Sequence, residues 1–236
     1  MIIKPAVGGN LLIQDRAGSA VLSTGASGAT LESGVTGGSG LTALGTVTAG
    51  NLSNTAIVYP VGHVLQIQSS TKADAFTTTS VPYVNISGTD QNASGSIWCV
   101  KITPSATSSK ILVNGSILWS FGTQTNTASY GRLMRDSTEI GVGSSIGSNA
   151  SGAWCMDGKS ESYYYNRRES HQYLDSPSST SELVYKIQIG QVYNGDAYVP
   201  TDSTLSLNTN SYGTNGAAST QVMRGISTIT VTEIKG

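Results

Sequence analysis

Charge is scarce in this sequence: Lys, Arg, Asp and Glu make up 11% of its 236 residues and leave a net charge of −1. A chain so nearly neutral has no electrostatic footprint for nucleic acid, whose phosphates call for clustered Lys and Arg. The one basic doublet, Arg167-Arg168, reads as a solvated pair. Long hydrophobic runs are missing too, with nothing near the roughly 18 apolar residues of a membrane helix. Met1 to Asn10 lacks the apolar stretch of a signal peptide. The expectation is a soluble protein made in a cytoplasm, with no membrane insertion. Cysteine is limited to Cys99 and Cys155, each directly after a tryptophan. Two buried, reduced thiols fit this better than a disulfide, although pairing stays open. The two histidines, His63 and His171, have no second ligand at metal-binding spacing, so neither a metal nor another cofactor is expected.

Aromatic residues are absent from the first 58 positions, whose only charges are Lys4, Asp15, Arg16 and Glu32. Such a segment cannot build an ordinary core. Leu11-Leu12-Ile13 and Ala20-Val21-Leu22 flank a turn-like Asp15-Arg16-Ala17-Gly18 and predict two short strands in a hairpin. A weaker cycle follows at Ala29 to Glu32, then a flexible joint at Gly37 to Gly40 and another strand at Leu44 to Thr48. Small strands of this kind bury too little area alone and need copies of themselves or a larger neighbour. Residues 1–58 therefore read as an extended N-terminal arm, or a short β-stalk.

What is present from residue 59 to 236 is period-two alternation punctuated by Gly, Asn, Pro and Ser. Ile111, Val113, Ile117, Trp119 and Phe121 share one parity of Lys110 to Phe121, against Asn114, Ser116 and Ser120 on the other. Leu183, Tyr185, Ile187 and Ile189 alternate with Glu182, Lys186 and Gln188, and Ile229 and Val231 with Thr228, Thr230 and Thr232. Further strands are expected at 61–68, 83–87, 97–102, 130–135, 153–157 and 204–208, with His171 in a polar loop. Apolar spacing of three and four is nowhere sustained, so no helix longer than two turns is expected. The fold class is all-β: an arm with short strands followed by an antiparallel, jelly-roll-like β-sandwich.

Chemistry is nearly absent. Gly143-Ser144-Ser145-Ile146-Gly147 matches a nucleophile elbow, but that motif needs a strand before it and a helix after it, and this one sits in a Gly/Ser-rich loop. Asp157, Glu161, Glu169 and Asp175 gather near Trp154, Tyr163, Tyr164, Tyr165 and Tyr173. Aromatic faces can stack on sugars while carboxylates accept their hydroxyls, so these five aromatics read either as a glycan site or as a hydrophobic contact between subunits. Binding is expected rather than cleavage, and the protein is read as a non-enzyme.

Several stretches resemble small virion structural proteins and distal fibre domains of tailed bacteriophages, notably those of marine bacteria and cyanobacteria. The N-terminal phrases are Ile3-Lys4-Pro5, Asn10 to Asp15 and Gly18 to Leu22; the later ones are Val64 to Ser69, Thr77 to Ser80, Ile102 to Val113, Arg132 to Ser137, Leu174 to Pro177 and Gly225 to Ile234. The resemblance implies a homotrimeric jelly-roll module on the outside of a particle and brings no catalytic residues. Under it, Leu11, Leu12, Ile13, Val21 and Leu22 become the candidate virion-attachment residues. The implied partners are a major capsid protein or a tail or fibre adaptor, with a host surface glycan as a further ligand. Capsid decoration is preferred over a short fibre because the arm is short.

Overall fold

The computed structural model describes residues 2–5, 11–14, 16–18, 20–25, 28–31, 59–79, 83–88, 96–121, 128–144, 152–157, 166–192, 205–209 and 224–236. The chain divides into two compact units, Met1–Ile57 and Val58–Gly236. In the first, β1 (Ile2–Pro5), β2 (Leu11–Gln14), β3 (Ala20–Gly25) and β4 (Gly28–Leu31) pair antiparallel in chain order. The turn between β2 and β3 is exposed. There Gly18 has φ +89°, a conformation that suits glycine, and its carbonyl accepts from Gln14 Nε2 at 2.6 Å. The pairing places Ile3, Ile13, Leu22 and Leu31 in one register row across all four strands. Ile13 and Leu22 are half-buried within it. The strand expected at Leu44 to Thr48 lies outside the described residues.

The second unit is a sandwich of β5 (Val64–Lys72), β6 (Phe76–Thr78), β7 (Val84–Asn85), β8 (Cys99–Ile102), β9 (Lys110–Phe121), β10 (Ala128–Arg135), β11 (Thr138–Ile140), β12 (Trp154–Asp157), β13 (Arg167–Asp175), β14 (Leu183–Val192), β15 (Leu205–Leu207) and β16 (Ser227–Ile234). One sheet runs β5–β16–β9–β13, and β6 and β15 extend β5 and β16 along the upper part of β9. The other has β14 and β10 at its centre, with β7 and β8 in line on one side and β11 and β12 in line on the other. Counted as eight ribbons, the first pairs the last, the last the third, and the third the sixth. The second pairs the seventh, the seventh the fourth, and the fourth the fifth. This is jelly-roll connectivity.

Alternation explains why these segments are strands. In β16 every second residue is buried, and Ile229 and Val231 meet Ile111, Val113, Ile117, Leu133, Tyr185, Ile187 and Ile189 in one core. Trp98 and Trp119 are essentially sealed in it. Cys99 is buried on β8, and Cys155 lies in β12, with β14 and β10 between the two strands. The chain enters the sandwich beside its last strand: Gly62 N donates to the Lys235 carbonyl and Lys235 N to the His63 carbonyl, both at 2.8 Å. Tyr59 stacks on His63 at 4.3 Å there. No residue described is helical.

Candidate functional site

Strand β13 is an edge strand whose inward parity breaks the rule that builds the core. Its residues Glu169, His171, Tyr173 and Asp175 face register partners Ile117, Gly115, Val113 and Ile111, of which the three with side chains are buried apolar residues. An ordinary sandwich strand would carry aliphatics at those four positions. Here they are two acids, an imidazole and a phenol, and the sandwich opens along this edge. Between β13 and the segment running from Thr138 through β11 to Gly143 lies a cleft of about 730 Å³.

Each of the inward side chains has its own support. Asp175, 5% exposed, accepts at both oxygens from Arg135 Nη1 at 2.7 Å, and from the Tyr185 hydroxyl and the Ser176 amide at 2.7 and 2.9 Å. Burial and the neighbouring carboxylate push the Tyr185 hydroxyl far above the ordinary tyrosine range, so it stays a proton donor. Burial pulls the Arg135 guanidinium down, but the hydrogen bond and charge of Asp175 outweigh this and raise it. Arg135 is thus a fixed, permanently charged rim to the cleft. Tyr173 lies against Gly141, whose φ is +62° and where an added Cβ would fall 2.8 Å from Tyr173 Cγ. Only glycine suits that position on both counts. Tyr173 as a whole is 37% exposed. His171 packs on Trp154, ring centroids 5.6 Å apart, and Trp154 in turn fits over Gly131, where no Cβ could be accommodated. His171 Nε2 and Trp154 Nε1 are buried and find no hydrogen-bond partner among the described residues.

A second buried carboxylate shares the row. Glu233, 0% exposed, pairs in register with Ile111 from the opposite side to Asp175. Two strand spacings put the two backbones about 10 Å apart. Glu233 accepts from Ser109 Oγ at 2.6 Å, from Ser105 Oγ and N at 2.7 Å, and from Gln66 Nε2 at 2.7 Å. Burial raises its pKa, yet the donors win and hold it below the usual carboxylate range. Paired acids at ~5–10 Å are a glycoside hydrolase signature. These two do not form one, because Glu233 is sealed by its four donors and takes no part in lining the cleft. The described geometry can hold a ligand but presents no acid and base to one bond.

The sequence-predicted residues separate. Tyr173 and Asp175 meet at the cleft, and His171, expected in a polar loop, is a strand residue pointing into it. Trp154 stands behind His171, packed against the core. Tyr163, Tyr164, Tyr165, Glu161 and Ser145 lie outside the described residues. Arg168, expected to be a solvated charge, donates to Ser116 Oγ and the Ile226 carbonyl. The attachment candidates are in β2 (Leu11, Leu12, Ile13) and β3 (Val21, Leu22). Sequence reading missed Arg135, Glu139, Gly141 and Gln172. The signal for them was the polar alternation Glu169, His171, Tyr173, Asp175, which marks an edge strand with an unusual inner face.

No protein-family model matches the chain, and no curated protein does. Among solved structures, it is similar to the VP2 subviral particle of infectious bursal disease virus, at 13% identity and TM-score 0.35, over 80% of this chain and 46% of that one. The structure of the Gt strain of that virus matches at 11% identity and TM-score 0.35, over 80% and 42%. The chain spans less than half the length of those proteins, and a likeness at this level carries no conclusion about activity or partners.

Proposed function

We propose that this chain is a non-enzymatic structural protein on the surface of a tailed-phage virion, a homotrimer attached through its N-terminal unit and acting as a capsid decoration protein. The observation that carries the reading is the outer face of the β5–β16–β9–β13 sheet. Its rows read Thr71–Thr228–Ser116–Ser170, Ser69–Thr230–Asn114–Gln172 and Ile67–Thr232–Leu112–Leu174. These three rows hold hydroxyls, amides and aliphatics and no charged residue of their own; Arg168, in the row beside them, donates to Ser116 Oγ at their edge. Ile67 and Leu174 are 60% and 50% exposed. The other sheet instead carries the ion pairs Lys101–Glu182 and Arg132–Glu139, and Arg132 also covers the Tyr83 ring. A face so poor in charge costs little to desolvate against a second protein surface, whereas a heavily charged one stays wet. The N-terminal unit supports the same reading: a four-stranded meander gains stability by lying on a partner. The phrase-level resemblance to phage virion proteins supplies the particle.

Deleting residues 1–55 is expected to leave a folded sandwich that is no longer incorporated into particles; normal incorporation would overturn the attachment role. The intact chain should sediment near three times 24.4 kDa, and a monodisperse monomer in every condition would remove the trimer. The cleft beside β13 favours a second reading, a short fibre that binds a host receptor. Labelling particles with antibody against residues 60–236 separates capsid from tail.

A further inference from the structure

The geometry points to the β11–β13 cleft as a binding site for a neutral carbohydrate, with one pyranose ring stacked on Tyr173 and its hydroxyls held by Arg135 and Thr138. This goes beyond the structural role and does not depend on it.

Three features select the ligand class. At about 730 Å³ the cleft lies within the ~300–1,000 Å³ of small-molecule sites. Its aromatic is presented rather than buried: Gly141 backs the Tyr173 ring and over a third of the residue stays open. Sugar rings carry an apolar C–H face that such a ring covers, with hydroxyls projecting at the rim. The polar groups are of both kinds. Arg135 donates, with its orientation fixed by Asp175, and the Thr138 hydroxyl both donates and accepts. Arg135 is paired with Asp175 and Glu139 with Arg132, so the lining carries no excess positive charge, which disfavours phosphate or a uronic acid. The substitution of polar groups for aliphatics along β13 is explained by the same use. A strand that only closed the sandwich would gain stability from Leu or Val at His171 and Tyr173.

The test is saturation-transfer NMR on the full chain with the methyl glycosides of glucose, galactose, mannose and N-acetylglucosamine. Methyl glucuronide and inorganic phosphate, the latter followed by phosphorus line broadening, serve as anionic comparators. At least one neutral glycoside is expected to receive saturation, at least tenfold less with Tyr173→Ala and several-fold less with Thr138→Ala. Gly141→Ala, which displaces the ring without removing it, should also weaken binding at least fivefold. Tyr173 and Thr138 are exposed, so both variants keep their thermal transition, checked alongside. Saturation of none of the four neutral glycosides, binding of the anionic comparators alone, or a signal unchanged in Tyr173→Ala would each overturn the proposal.

Discussion

Asp175 and Glu233 flank Ile111 in the same register row at the same depth, and they are neutralised by different means. Asp175 has a cation, Arg135, together with the Tyr185 hydroxyl and a backbone amide. Among the described residues, Glu233 has only neutral donors, from residues 66, 105 and 109. The physical reason follows from their separation. Two bare charges about 10 Å apart repel by about 2 kcal/mol at an effective dielectric of ~20. Four neutral donors solvate one carboxylate without cancelling its charge, so the second must bring its own cation. The Glu233 corner ties the 103–109 loop to the last strand and serves stability. The Asp175 corner fixes an arginine beside an open cleft, so its ion pair serves a site as well.

The largest way to break this comparison is Asp175→Ala. It strands the Arg135 guanidinium and the Tyr185 hydroxyl, and a loss of about 3–5 kcal/mol is expected in denaturant unfolding. Glu233→Gln keeps the shape but sets an amide N–H₂ against donors, with an expected loss of about 2 kcal/mol. It also sharpens the pH behaviour. A carboxylate held below its unfolded value contributes fully above about pH 4.3 and loses that contribution as pH falls through the folded value. The acid limb of the stability profile should therefore flatten in Glu233→Gln, and an unchanged limb would show that other groups control it.

Tyr185→Phe is the next smaller change, about 1.5 kcal/mol for one hydrogen bond to a charged acceptor. Its signature lies at the other end of the scale. The folded hydroxyl is held above its unfolded value, so its contribution is complete below about pH 10 and is lost as pH rises through the folded value. Phenylalanine removes that alkaline loss, which circular dichroism against pH would register. The smallest effect on folding belongs to Leu174→Ser with Ile67→Ser on the charge-poor outer face, within about 0.5 kcal/mol each. The same pair should lower the sedimentation mass or abolish particle incorporation, and wild-type assembly would show that this face is not a contact.

Reading the sequence found the strands that follow the core rule. Lys110–Phe121 was expected and observed with the same bounds, and the cores of β14 and β16 followed from alternation. It missed β13, β11 and β6. In β13 the inward residues are Glu169, His171, Tyr173 and Asp175, so hydrophobic periodicity vanishes although the backbone is extended. The three-residue β6 and β11 are too short to show any period. The candidate site was half legible. Tyr173 and Asp175 stood out as an aromatic and an acid close in sequence, but Arg135 and Gly141 reach them across the gap between sheets, a contact no local pattern encodes.

The hydrogen bonds between Gly62 and Lys235, and between Lys235 and His63, make the sandwich a cassette. Its first and last strands leave from adjacent points, so it can be spliced into a surface loop of an unrelated carrier without stretching either junction. Joined there by a short linker and reopened elsewhere, it would yield circular permutants, each presenting the same cleft at a different angle to whatever carries it.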